Sequence, residues 1–264
     1  MPTRDHTPNG APIWADLLTS DIERSRAFYA QLFGWNASEP NEEFGGYVSF
    51  TNGAGLRIGG AMTREPENPT PDTWTVYLSS DDAHKTLESA TEHGGQVFVE
   101  PMQVGDMGTM AVLADSTGAA VGVWQPDTHT GFGVVTETGV PSWFELHTRD
   151  YDKAVAFYRD VFHWETHVES DTAEFRYTIQ QDGDAQLAGI MDATSYLPDG
   201  MPSHWVIYFG VDDTDEAIAN VIELGGTLVQ PADDTPYGRV AAVTDVTGAH
   251  FRLVAPNAAM PART

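Results

Sequence analysis

The chain has no cysteine among its 264 residues. That excludes disulfides, thiolate metal sites and cysteine nucleophiles together, and leaves any chemistry to oxygen and imidazole groups. Basic residues are scarce as well, with 13 Lys and Arg against 39 Asp and Glu, for a formal net charge of −26. A field of that sign repels phosphate backbones, so nucleic-acid binding is not expected, and it attracts cations. The plainer reading of the charge, a solvated acidic surface that serves solubility, outweighs ligand steering. No apolar run approaches the roughly 20 residues of a membrane span, and the opening MPTRDHTPNG has no apolar signal core. A cytoplasmic protein without membrane contact is expected. With 41% hydrophobic and 11% aromatic residues, the composition is globular.

What is present is a repeat. GAPIWADLLTSDIERSRAFYAQLFGW (10–35) is answered by GVPSWFELHTRDYDKAVAFYRDVFHW (139–164), with Trp14 and Trp143, Asp21 and Asp150, Phe28 and Phe157, Tyr29 and Tyr158, and Trp35 and Trp164 all 129 positions apart. Residues 72–95 answer 203–226 in the same way, and 105–126 answer 235–256. A register held this long indicates internal duplication. A Gly- and Thr-rich stretch at 127–139 divides the chain into domains 1–127 and 128–264. Within each half, a strand leads through Asp into a helix with apolar spacing of three and four. Short strands follow, the last after a DSTG or DVTG turn. The pattern predicts an α+β protein of four βαβββ modules, two per domain. Asp21, Asp81, Asp150 and Asp212 are expected to cap helices, and the Phe28-Tyr29 and Phe157-Tyr158 pairs to pack on helix faces. Gly118 and Gly248 are expected to supply positive backbone angles in the turns.

The strand-Asp-helix opening with its FY and LFGW elements, the central Asp-helix-Gly-Gly segment and the D-x-T-G hairpins resemble the vicinal oxygen chelate superfamily, which contains glyoxalases, extradiol dioxygenases and bleomycin-resistance proteins. The likeness covers nearly all of residues 10–256 and is greatest to two-domain actinobacterial proteins of the hydroxylase-like or antibiotic-cluster accessory kind. It implies two glyoxalase-like domains with cup-shaped mixed sheets. It also implies a divalent ion held by His, Gln or Glu on four inward strand positions. Those positions fall on Trp14, near Gly59, near Thr75 and on Gly122 in the first half, and on Trp143, near Gly189, near Val206 and on Arg252 in the second. None is a good ligand, and Arg252 puts a fixed positive charge where the ion belongs. No metal or other cofactor is therefore expected. One alternative set remains, Glu145 with His204 and His250, because alternate strand residues share a face. Strand parity fixes that face and not the depth.

Without a metal, the inward surface reads as aromatic. Trp14, Tyr77, Trp124, Trp143 and Tyr208 form it, with Asp16 and Glu145 each two residues after a tryptophan, and with His204 and Arg252 beside them in the second half. Met62, Met102, Met107, Met110 and Met191 lie on nearby strands or loops. Such a concave surface suits an aromatic small molecule, and the acidic groups would favour one bearing an amine. The leading expectation is a metal-independent binding protein that sequesters or presents an aromatic natural product, in the antibiotic biosynthesis or resistance that the resemblance to the drug-binding and antibiotic-cluster branches implies. The rival is an enzyme, a lyase, isomerase or oxygenase on the alternative metal set, or one that uses Glu145 or His147 as a general base. Monomer and homodimer both remain open.

Overall fold

The computed structural model describes residues 6–258. The first half runs β1 (Pro12–Thr19), α1 (Ile22–Phe33), β2 (Asn36–Ala37), β3 (Val48–Thr51), β4 (Arg57–Thr63), β5 (Thr73–Ser79), α2 (Ala83–Glu92), β6 (Gln96–Val104), β7 (Gly108–Ala114) and β8 (Ala120–Pro126). The second repeats it as β9 (Pro141–Thr148), α3 (Tyr151–Phe162), β10 (Glu165–Asp171), β11 (Arg176–Asp182), β12 (Ala185–Asp192), β13 (His204–Gly210), α4 (Thr214–Glu223), β14 (Thr227–Thr235), β15 (Gly238–Thr244) and β16 (His250–Ala255). Each half is thus a pair of βαβββ modules making one eight-stranded sheet, in the orders β2-β3-β4-β1-β5-β8-β7-β6 and β10-β11-β12-β9-β13-β16-β15-β14. The modules join through antiparallel β1–β5 and β9–β13, while β1 runs parallel to β4 and β9 to β12.

The sheets curl without closing. Tyr237, in the β14–β15 turn at one edge, brings its ring centroid within 6.2 Å of Tyr177 on β11 near the other edge. In the first half, a Cβ on Gly105 in the β6–β7 turn would stand 3.1 Å from the Phe44 ring across the cup. One face of each sheet thereby becomes concave, and the helices cover the other.

The helix starts follow local chemistry. Asp21 accepts from the Arg24 amide at 3.1 Å, as expected of an N-cap. In the two Asp-Asp pairs the cap is the second residue, Asp82 and Asp213, rather than Asp81 and Asp212. The second Asp is the one whose carboxylate reaches the free amides of the first turn, and Asp212 instead accepts from the Thr138 hydroxyl at 2.7 Å. Asp150 stands at the cap position of α3 with no side-chain cap bond. Gly118 and Gly248 take φ of 91° and 100° in their turns, each wrapped by the carboxylate of Asp115 or Asp245.

The helical aromatics do more than pack on their own half. Tyr29 on α1 donates to Asp245 at 3.1 Å, and Tyr158 on α3 donates to Asp115 at 2.9 Å, so each half's first helix is tied to the other half's last turn. Phe33 lies 5.2 Å from Phe209, and Trp35 Nε1 donates to the Gly139 carbonyl. Trp164 Nε1 donates to the Gly10 carbonyl at 2.8 Å. The duplicated FY and LFGW elements therefore build a shared aromatic seam between the halves, with the concave faces turned away from it.

Candidate functional site

Directly paired strand residues share a face, so the register places side chains in rows across each cup. In the first half Trp14 pairs with Tyr77, and Tyr77 with Gly122; Asp16 pairs with Gly60 and Thr75. In the second, Trp143 pairs with Tyr208 and Tyr208 with Arg252; Glu145 pairs with Gly189 and Val206, and His147 with His204. The two cups therefore differ where Leu18 and Thr73 stand opposite the pair His147 and His204, and where Gly122 stands opposite Arg252.

Each cup is organised around its carboxylate. In the first, Trp14 Nε1 donates to Asp16 Oδ1 at 2.8 Å and Tyr47 donates to the same oxygen at 2.5 Å. In the second, Trp143 Nε1 donates to the Tyr177 hydroxyl at 2.9 Å, and Tyr177 donates to Glu145 Oε2 at 2.6 Å. Glu145, one methylene longer, also receives Tyr208 at 2.7 Å and His147 Nε2 at 2.7 Å, both on Oε1. Tyr47 and Tyr177 escape a reading at the 129 offset because they stand 130 apart, Tyr47 just before β3 and Tyr177 within β11. The shared Tyr, followed by alternating residues in GGYVSF and FRYTIQ, was the available signal.

Glycine makes these contacts possible. A Cβ on Gly60 would lie 1.9 Å from the Tyr47 hydroxyl, one on Gly189 would lie 2.0 Å from that of Tyr177, and one on Gly122 would lie 2.2 Å from the Tyr77 ring. The tyrosines occupy the space that side chains at these positions would need.

The carboxylates end in different protonation regimes. Burial raises the Asp16 carboxyl, and the hydrogen bonds from Tyr47, Trp14 and Tyr77 only partly oppose it, leaving it at about 6. Burial would raise Glu145 too, but the hydrogen bond and charge of His147, with Tyr177 and Tyr208, overcome it and bring Glu145 down to about 2. His147 is lowered because burial outweighs its attraction to Glu145, and His204 is lowered chiefly by burial. At neutral pH the second cup holds an anionic Glu145 with three donors and a neutral His147 whose Nε2 proton faces it. A carboxylate at about 2 is a poor proton acceptor at neutral pH, so Glu145 is better placed to orient His147 than to act as a general base.

The first cup is closed over. His129 from the 127–139 segment sits edge-on against Trp14 at 4.4 Å and near Trp124 at 5.4 Å, while Phe132 lies 5.4 Å from Trp14. Trp14 and Tyr77, read as ligand-binding residues, are 4% and 7% exposed, and in the second cup Glu145 and Tyr208 are no more open at 6% and 7%. The structure brings Trp14, Asp16 and Tyr77 together, with the plug against Trp14 and with Asp16 partly exposed. The second cup keeps a partly exposed rim of Trp143, His204, Arg252 and Phe175, with Tyr196 and Tyr237 more open. Tyr196, Phe175 and Tyr237 lie on loops, where no periodicity marked them. Of the methionines, Met62 and Met102 point largely to solvent. Two surface cavities lie outside the cups. One, of about 300 Å³, is lined by Tyr151, Val155 and Arg176, and its arginine is already paired with Asp152, Asp171 and Asp192. The other, of about 230 Å³, lies at the seam beside Phe33 and Asp212.

The alternative metal set does not assemble. Both Glu145 oxygens are occupied by donors, and His204 lies beside His147, ring centroids 5.5 Å apart, with Nδ1 on the Pro202 carbonyl. His250 is exposed at the start of β16, opposite Thr244. The three share a face, but not a depth. Among the described residues, no three His, Asp or Glu come together as an ion-holding group. The positions implied for a divalent ion carry Gly, Thr, Val, Trp and Arg, with tyrosines filling the space above the glycines. These residues do not fit the ion, and no chemistry is routed through one here.

Fold and site together define a duplicated, cup-forming α+β protein whose second cup is aromatic and centred on a carboxylate. The model of the Glyoxalase/Bleomycin resistance protein/Dioxygenase superfamily matches residues 12–123 and 141–253, and the chain belongs to that superfamily. It is 36% identical over 261 residues to "Putative glyoxylase CFP32" of Mycobacterium tuberculosis (strain CDC 1551 / Oshkosh), covering 97% of this chain and 98% of that one. It is 34% identical over 262 residues to "Anthracycline biosynthesis protein DnrV" of Streptomyces peucetius, covering 93% of each. Among solved structures, the Mn(II)-bound glyoxalase from Novosphingobium aromaticivorans shares the fold, with a TM-score of 0.64 at 16% identity over 94% of this chain and 82% of that one.

Proposed function

We propose that this protein binds an aromatic small molecule in its second cup without a metal ion, in an antibiotic-biosynthetic or resistance setting. The observation that carries the reading is the Trp143, Tyr177 and Tyr208 wall around Glu145, which already accepts from three donors, in a cup with a partly exposed rim. Flat rings stack on such walls, and offset aromatic pairs add about 0.5–1.5 kcal/mol beyond buried area. The names of the Streptomyces relatives tie those proteins to anthracycline biosynthesis, which supports an aromatic ligand here. The amine expected from sequence loses its support, because Glu145 is engaged by three donors and Asp16 by Trp14, Tyr47 and Tyr77.

The test is tryptophan fluorescence during titration with a panel of planar aromatic compounds, before and after dialysis against a chelator, with metal content measured on the same sample. Micromolar quenching that survives dialysis and weakens about tenfold or more in Trp143→Ala is expected. A stoichiometric metal whose removal abolishes binding would refute the reading. The arrangement of His147 held by Glu145 favours one second reading, general-base catalysis by His147 on an enolisable ligand. Turnover lost in His147→Gln with binding retained would support it.

A further inference from the structure

Among the described residues, most of the partly buried arginines are visibly committed to acids or to backbone carbonyls. Arg64 pairs with Asp72, Arg176 with Asp152 and Asp171, and Arg239 with Asp215 and Asp234. Arg149 donates to the carbonyls of Leu197, Pro198 and Met201. Arg57, which donates to the Thr130 hydroxyl, has neither kind of partner, and nor does Arg252, although acidic residues outnumber basic ones by 39 to 13. The Arg252 guanidinium lies over the Tyr208 ring, Cζ 5.5 Å from the centroid, within the electrostatic reach of Glu145, Tyr196, His147 and His204. The hydroxyl of Tyr208 engages it while donating to Glu145.

A guanidinium carries five donors in a planar fork, and Tyr208 cannot satisfy them all. A partly buried charge without an anionic partner is costly unless something else supplies one. Glu145 offsets the charge from a distance, but its oxygens already accept from His147, Tyr177 and Tyr208. His147 and His204 stay neutral at neutral pH and add no competing cation. Arg252 also stands on the last-strand position at which a metal ligand was implied, opposite Tyr208, where the first half has Gly122 beneath the Tyr77 ring.

We propose that Arg252 is the fixed positive charge of the second cup and selects an aromatic ligand presenting two coplanar oxygens, as an aromatic carboxylate or a deprotonated hydroxy-carbonyl edge does. This rests on the reading of the second cup as a ligand site, and replaces the expected amine with an oxygen acceptor. The fork binds two such oxygens at once, which a lysine or a neutral side chain does not reproduce. The net negative charge of the protein does not forbid it, since salt screens the distant acidic groups over about 8–10 Å while the guanidinium acts at contact.

The experiment titrates the wild type, Arg252→Gln, Arg252→Lys and Trp143→Ala with three probes of one shape: 3-hydroxy-2-naphthoate, 2-naphthalenemethanol and 2-naphthylmethylammonium. The wild type should prefer the naphthoate. Arg252→Gln should weaken it by about tenfold to a hundredfold and leave the alcohol unchanged, with Arg252→Lys in between. Trp143→Ala should weaken all three probes. Equal naphthoate affinity in Arg252→Gln, or a wild-type preference for the ammonium, overturns the assignment of Arg252. Probes that bind but ignore Trp143→Ala, or no binding by any probe at millimolar concentration, overturn the cup itself.

Discussion

Replacing Asp16 by Asn isolates the carboxylate of the closed cup. Asp16 ionises at about 6 in the folded protein against an ordinary 3.8, because burial outweighs its three hydrogen bonds. As pH rises through 3.8, the unfolded chain loses this proton first. The folded state then holds more protons than the unfolded one, so stability falls with pH until the folded group has also ionised. The full gap corresponds to about 3 kcal/mol lost by pH 8, at 1.36 kcal/mol per pH unit. Asp16 is only partly buried, and water screens some of this, leaving about 1–3 kcal/mol. Asparagine cannot ionise, and its Oδ1 can keep the bonds from Trp14 and Tyr47, both of which end on one oxygen. Asp16→Asn should therefore be more stable than wild type at pH 8, by about 1–3 kcal/mol, or a few degrees in Tm. The advantage should shrink by about 1 kcal/mol on going to pH 5, where the unfolded wild type is ionised but the folded group is not. Urea unfolding of both proteins at pH 5, 6, 7 and 8 measures this directly, since every other titrating group cancels in the difference. A stability gap independent of pH, or an Asn variant weaker at pH 8 than at pH 5 relative to wild type, would refute the assignment of Asp16 as a buried, reluctantly charged group.

The second cup should behave in the opposite sense. Glu145 lies at about 2 against an ordinary 4.5, so its stabilisation is complete above pH 4.5 and is lost as pH falls toward 2. Glu145→Gln should cost about 2–4 kcal/mol at pH 7, with the deficit narrowing by about 1 kcal/mol at pH 4, read by urea unfolding at both values. Gly189→Ala should cost about 1–3 kcal/mol, because the new methyl group meets the Tyr177 hydroxyl. Adding Tyr177→Phe should cost less than the sum of the two single changes, which a double-mutant cycle checks.

Much of the architecture was legible because duplication repeats whole segments in register. Trp14 with Trp143 and Asp21 with Asp150 mark the same strand end and helix start twice, and the period of two on β1, β9, β13 and β16 correctly grouped Trp143, Glu145 and His147, His204 and Tyr208, and His250 and Arg252 by face. Local rules also located the Gly118 and Gly248 turns, since only backbone geometry is involved there. They chose the wrong partner within each Asp-Asp pair, because either residue can cap until the helix start is fixed by packing.

What sequence by itself determined is periodic and local: two βαβββ pairs, the concave faces, and the poverty of metal donors at the implied strand positions. Tertiary structure alone decided depth, access and protonation. Register separated His204, which pairs with His147, from the row of Glu145, and strand order set His250 two strands away with its side chain exposed, although all three lie on one face. Access differed because His129 and Phe132 fold back onto Trp14 and leave Trp143 at a partly open rim. Protonation differed because Glu145 has His147 within reach where the first half has Leu18, while Asp16 keeps only the neutral donors Trp14, Tyr47 and Tyr77. Two near-identical sentences of sequence thus fold into one cup plugged at Trp14 and one that holds Glu145 on His147 with an arginine nearby, through contacts contributed by segments far apart in the chain.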